Sequence, residues 1–132
     1  MRHRIIIQQI NKPKSNRVKD EIRWVCDSLG LMKGRDINDI SFKVMYKLLN
    51  LFSKHNLVST EEICKVLKLE PYRVNHHVRS LMESGIVFRE KRKIALRGGS
   101  LSSAIEEMKR DSELMFNRLL EVSKKIDKSF DL

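Results

Sequence analysis

The sequence predicts a mainly α-helical fold with one small β-hairpin. Three observations predict it. Apolar residues recur at helical spacing along most of the 132-residue chain. Two short apolar runs, Ile86-Val87-Phe88 and Ile94-Ala95-Leu96, flank a charged tip, the pattern of a hairpin. A heptad series fills the last quarter of the chain. The composition, 33% charged and 41% hydrophobic, suits a packed domain with a single core.

Residues 4–10, rich in β-branched isoleucine, read as a short strand. Asn11-Lys12-Pro13-Lys14 ends it, and Ser15 is the expected N-cap of a first helix. Val18, Ile22, Val25, Cys26 and Leu29 give that helix one apolar face, and Gly30 is placed to terminate it. Gly34-Arg35-Asp36 reads as a turn. A second helix follows from about Asp39 to Lys54, with Phe42, Met45, Leu48, Leu49 and Phe52 as its stripe. Ser59 and Glu62 have the spacing of a capping box, which starts a short helix with Ile63, Val66 and Leu67 inward. Pro71 suits the first turn of the next helix, because the missing N–H has no intrahelical partner there, and Gly85 stops that helix. The hairpin comes next, its strands flanking the charged stretch Arg89 to Lys93, and Gly98-Gly99 closes it. Ser100 or Ser102 caps a last helix running to about Ser129.

The 27 Lys and Arg against 17 Asp and Glu leave a formal charge of +10. So large an excess on a small domain points to a polyanionic partner, nucleic acid first. The excess is uneven: +6 in residues 1–35, +5 in residues 71–99, and −1 in residues 100–132. No run approaches the ~20 apolar residues of a membrane span, and the basic N-terminus lacks a secretory apolar region. Two isolated cysteines make no disulfide framework. The expectation is a cytoplasmic protein without a membrane partner. No Gly-rich phosphate loop, paired-carboxylate motif or nucleophile elbow suggests an enzyme.

Helix, helix, turn, helix, hairpin over residues 39–97 is the layout of a winged helix-turn-helix, in which a helix fitted to the major groove is held by the two before it. At 100° per residue, Val74, Val78 and Leu81 of the third helix point together and inward. The opposite arc carries Tyr72, Asn75, His76 and Arg79, with Arg73 and Ser80 at its edge, and reads as free of carboxylates. These side chains suit base edges and phosphates. The hairpin adds Arg89, Lys91, Arg92 and Lys93 as backbone contacts.

The stretch Val74-Asn75-His76-His77-Val78-Arg79-Ser80-Leu81-Met82-Glu83-Ser84-Gly85-Ile86-Val87 resembles the recognition segment of ArsR-like winged-helix transcriptional regulators. The preceding Val58 to Leu67 is similar to the helix before it in that family, and related MarR-like proteins carry the same pattern. The resemblance covers about 60 of the 132 residues. It implies transcriptional regulation and puts Asn75 and His77 at family positions on the recognition helix. The chain has no Cys-x-Cys motif like that of the ArsR metal sensors. His76 and His77 point 100° apart and chelate one ion poorly, so neither a metal nor a cofactor is expected.

Leu101, Ile105, Met108, Met115, Leu119, Val122 and Ile126 make a heptad seam, with Ser112 in the missing beat. The seam suits dimerisation and would set two recognition helices about one DNA turn (~34 Å) apart. The expected organisation is a strand-helix extension at 1–35, a winged-helix DNA-binding domain at 36–99 and a dimerisation helix at 100–132. The expected partners are double-stranded DNA and a second copy of the chain; no ligand pocket for an effector is legible. The alternative is a winged-helix protein-interaction module within a larger nucleic-acid-processing complex. RNA binding ranks lower, since Tyr72 is the one aromatic on the exposed arc.

Overall fold

A computed structural model describes residues 3–31 and 39–132. The Gly34-Arg35-Asp36 turn lies outside the described residues. Those described form five α-helices, α1 (Val18–Ser28), α2 (Ile40–Phe52), α3 (Thr60–Leu67), α4 (Pro71–Ser84) and α5 (Leu101–Ser129). Three short strands, β1 (Leu57–Val58), β2 (Val87–Glu90) and β3 (Lys93–Leu96), make an antiparallel sheet of order β1-β3-β2. The fold is therefore mainly helical with a small three-stranded sheet.

Residues 4–10 form no strand. The Arg4 amide donates to the Glu83 carbonyl at the end of α4 (2.6 Å), and the Gln8 amide to the Ser28 carbonyl at the end of α1 (2.7 Å). The Trp24 indole N–H donates to the Ile10 carbonyl (3.0 Å). Isoleucine favours extended backbone, but a strand also needs a ladder partner. Here the amides satisfy carbonyls that the two helix ends leave open. The N-terminal segment is thus a strap over two helix termini, and the expected strand-helix unit is corrected to strap and helix.

Helix α1 starts at Arg17 as N-cap, two residues beyond Ser15, whose hydroxyl accepts from the Arg17 amide. Ile22 and Cys26, one turn apart, are buried. Gly30 ends the helix as expected. Its φ is +65°, its amide bonds Asp27 and the Leu31 amide bonds the Cys26 carbonyl. This pairing closes open carbonyls at the price of a left-handed residue. A side chain there would also meet Ile6 at 2.9 Å.

Helix α2 buries Ile40, Ser41, Phe42, Val44, Met45 and Leu48 and lies at the centre of the core. Ser59 and Glu62 form the full capping box of α3. Pro71 opens α4 and Gly85, at φ +93°, closes it. Val74, Val78 and Leu81 all face inward. One cluster joins Ile22 and Cys26 of α1, the α2 stripe, Val58, Ile63, the α4 stripe, Ile86, Val87, Ile94 and Met108 of α5. Strand β1, only two residues long, pairs with β3 through Leu57↔Ala95 and Val58↔Ile94. Two residues carry no period, so the sequence pattern does not reveal it. The hairpin register Glu90↔Lys93 draws most of the charged stretch into the ladder and leaves Lys91 and Arg92 as the whole turn.

Ser100 caps α5 by accepting from the Ser103 amide. At 1.5 Å per residue the helix is about 43 Å long. Its first third is fixed to the body. Ala104 and Met108 are buried. The Arg97 guanidinium bonds Glu107 (2.8 Å) and Asp111 (2.7 Å), and His3 of the strap lies 3.6 Å from Asp111. The guanidinium holds the Asp111 carboxyl below the usual carboxylate range, chiefly through its hydrogen bond. No helix of the described residues is long and apolar enough to cross a membrane.

Candidate nucleic-acid interface

Helix α4 is rooted by its buried face, so its opposite face is fixed in space. Tyr72, His76 and Arg79 are exposed, and Arg73 and Asn75 half-buried. Alongside stands the β2-β3 hairpin, with Arg89, Lys91, Arg92 and Lys93 all exposed. Among the described residues, Arg73, Arg79, Lys91, Arg92 and Lys93 enter no ion pair, whereas Arg23 and Arg97 do. Neighbouring cations outside ion pairs make a surface of net positive charge that attracts an external anion.

The turn at the tip is costly. Lys91 and Arg92 have φ of +51° and +68°. A two-residue hairpin needs left-handed backbone at both central positions, which Asn-Gly adopts most easily. Two side-chain-bearing residues there cost roughly 1–2 kcal/mol each. The Arg89 guanidinium donates to the Arg92 carbonyl (3.2 Å) and helps hold the turn. The result is a narrow tip with a cation at each corner.

The arc is not free of carboxylates. Glu83 stands one turn beyond Arg79 and shares a concavity of about 250 Å³ with His76, His77, Arg79 and Ser80. The wheel arithmetic already places it there, since eleven residues from Tyr72 come back to within 20°. Glu83 limits the uninterrupted positive surface to Pro71–Ser80, the N-terminal part of the helix.

Asn75, expected on the contact face, and its helix neighbour His77 both bond within the chain. The His77 Nδ1 lies 2.9 Å from the hydroxyl of buried Ser41, which donates to the Leu31 carbonyl. His77 therefore ties α4 to α2. Asn75 Oδ1 accepts from Arg89 (3.1 Å) and from the Thr60 hydroxyl (3.3 Å), joining α4, the hairpin and the start of α3. Sequence reading misses this triad because its members are 14 to 29 residues apart. His76 and His77 meet edge to face with centroids 5.3 Å apart. Among the described residues no cluster of three or more His, Cys, Asp or Glu could hold a metal. Burial pushes the half-buried Cys64 thiol above its usual range, away from a reactive thiolate.

The heptad series divides at Ser112. Met108 is 4% exposed and belongs to the chain's own core, and Leu101 packs against that core. These two seam positions are accordingly taken within the chain. Heptad spacing marks an apolar face without saying which chain covers it. Ile105 is partly exposed at 37%. Every residue beyond Ser112 is exposed, including Met115, Leu119, Val122 and Ile126 of the seam and Leu114, Phe116 and Leu120 beside it. A groove of about 890 Å³ runs beside Met115, Phe116 and Leu119, with His3 and Ile5 of the strap on its other wall.

Compared with models of known protein families, with curated proteins and with solved structures, the chain matches none.

Proposed function

We propose that the chain is a winged helix-turn-helix protein that binds double-stranded DNA sequence-specifically, as a homodimer, and regulates transcription. The observation that carries this reading is the set of unpaired cations on α4 and the hairpin tip. They lie on a face held rigidly from behind by Val74, Val78 and Leu81. The order α2, β1, α3, α4, β2, β3, with β1 closing the sheet beside β3, supports a helix-turn-helix flanked by a wing.

In this reading the N-terminal half of α4 enters the major groove. Tyr72, Arg73, Asn75, His76 and Arg79 meet bases and adjacent phosphates, and Lys91, Arg92 and Lys93 lie along the flanking backbone. Glu83, at the far end of the helix, stays outside the groove. The resemblance of residues 74–87 to ArsR-like recognition segments supports a role in transcription. The apolar surface of α5 beyond Ser112 supports the dimer. A helix of that length with an uncovered apolar stripe is unfavourable in water, and a second copy covers it symmetrically.

A titration on duplex DNA over a salt series tests the reading. Affinity should fall steeply as salt rises, because each neutralised phosphate releases counterions. Salt-insensitive binding, or none, overturns it and favours a protein-docking module, for which α4 would present its face to another chain.

A further inference from the structure

The triad of Thr60, Asn75 and Arg89 restricts what α4 can read. An asparagine amide has one accepting end and one donating end, which a hydrogen-bond network must tell apart. Here the partner decides. Arg89 has only donors, so the atom it meets at 3.1 Å is the Asn75 oxygen. The Thr60 hydroxyl meets the same oxygen at 3.3 Å. Both lone pairs of Oδ1 are thereby engaged. No group among the described residues accepts from Nδ2. Arg89 is itself held, since its guanidinium also donates to the Arg92 carbonyl.

We infer that Asn75 reads DNA as a donor only, and that Arg89 is the positioning residue that makes it so. This rests on the duplex-binding reading above. Asparagine ordinarily recognises adenine with both ends, its oxygen accepting from N6–H and its nitrogen donating to N7. With Oδ1 occupied, that pairing is closed. The free Nδ2 matches base edges that present acceptors in the major groove, N7 and O6 of guanine, O4 of thymine or, through a single bond, N7 of adenine. Cytosine, which offers its N4 donor there, is disfavoured. Arg89 acts through Asn75 and the hairpin, and the phosphate contacts fall to Lys91, Arg92 and Lys93.

Selection of bound sequences from a randomised duplex pool tests this with the wild-type chain, Asn75→Ala, Arg89→Leu and the pair Arg89→Leu with Thr60→Val. The wild type should show a base-pair preference at one position per half-site, and Asn75→Ala should lose the preference at that position alone. Arg89→Leu, and more so the double variant, should gain affinity for adenine there that depends on its N6 amino group, with thermal unfolding followed to confirm a folded protein. In the wild type, 7-deazaguanine at a selected guanine, or removal of O4 from a selected thymine, should weaken binding about tenfold. The same analogue should not affect Asn75→Ala. Wild-type binding that weakens when an adenine at the Asn75-dependent position is replaced by purine, which lacks the N6 donor, overturns the inference while leaving DNA binding intact. So does an Asn75→Ala variant that is less stable but unchanged in preference. Absence of any salt-dependent duplex binding by the wild type overturns the underlying reading, and this inference with it.

Discussion

The α4 face with its hairpin and the outer part of α5 are both exposed, yet they are exposed in opposite ways. The first is polar and charged, and it is braced from behind by a buried stripe and from the side by Arg89. Water solvates it well, so a single copy can carry it. The second is a row of Met115, Leu119, Val122 and Ile126, each more than half exposed, with nothing of the described residues packed over it. Water solvates that surface poorly. In the proposed reading one surface lacks only its DNA, while the other is half of an interface. Arg97 joins the hairpin to the inner part of α5. Its backbone continues β3 and bonds the Ile86 carbonyl, and its guanidinium grips Glu107 and Asp111 of α5.

Breaking the outer helix should have the largest effect. Leu119→Glu with Ile126→Glu puts four carboxylates into a dimeric seam and should convert dimer to monomer by sedimentation. Affinity for a two-half-site duplex should then fall by about a hundredfold or more, because the second contact is no longer tethered to the first. A double variant that sediments as the wild type does would remove the contrast between the two regions. These substitutions test the seam cleanly because they lie beyond Ser112. Truncation at Ser100 would also strip Ala104 and Met108 from the core.

Next come changes on the α4 face. Arg79→Ala should weaken specific binding by about tenfold to a hundredfold, with no change in sedimentation. His76→Ala should have a smaller effect of the same kind. Arg97→Ala should affect the junction. Loss of hydrogen bonds to two carboxylates on a partly exposed surface should cost about 1 kcal/mol in denaturant unfolding. Arg97 lowers the Asp111 carboxyl in the folded chain, so its contribution is present above the ordinary carboxylate pKa and fades as pH falls through the folded value. The stability gap between wild type and Arg97→Ala should therefore narrow below about pH 4. Smallest of all, Lys91→Ala and Lys93→Ala should each reduce the salt slope of binding by about one, leaving sequence preference untouched.

The sequence signals that held were local. The Ser59–Glu62 box, Pro71, Gly30 and Gly85 each placed a helix end, because capping chemistry acts within four residues. The signals that misled, or were missing, depended on neighbours. The isoleucines at 5–7 suggested a strand, but the amides on either side of them, of Arg4 and Gln8, bond the Glu83 and Ser28 carbonyls at two helix ends instead. The series from Leu101 to Ile126 had one period throughout, yet Met108 joined the core and Met115 did not.

By itself, the sequence determined the helices, the polar and apolar faces of α4 and the segments that carry the positive charge. Periodicity and charge are properties of residues a few positions apart. The tertiary structure alone decided that residues 4–10 strap two helix ends and that β1 completes the sheet. It also decided that Asn75 turns its oxygen to Arg89 and that α5 packs on the body through Ala104 and Met108 while its outer part stays bare. Each of these depends on which distant group offers a free donor, acceptor or apolar surface, and only the folded arrangement supplies that.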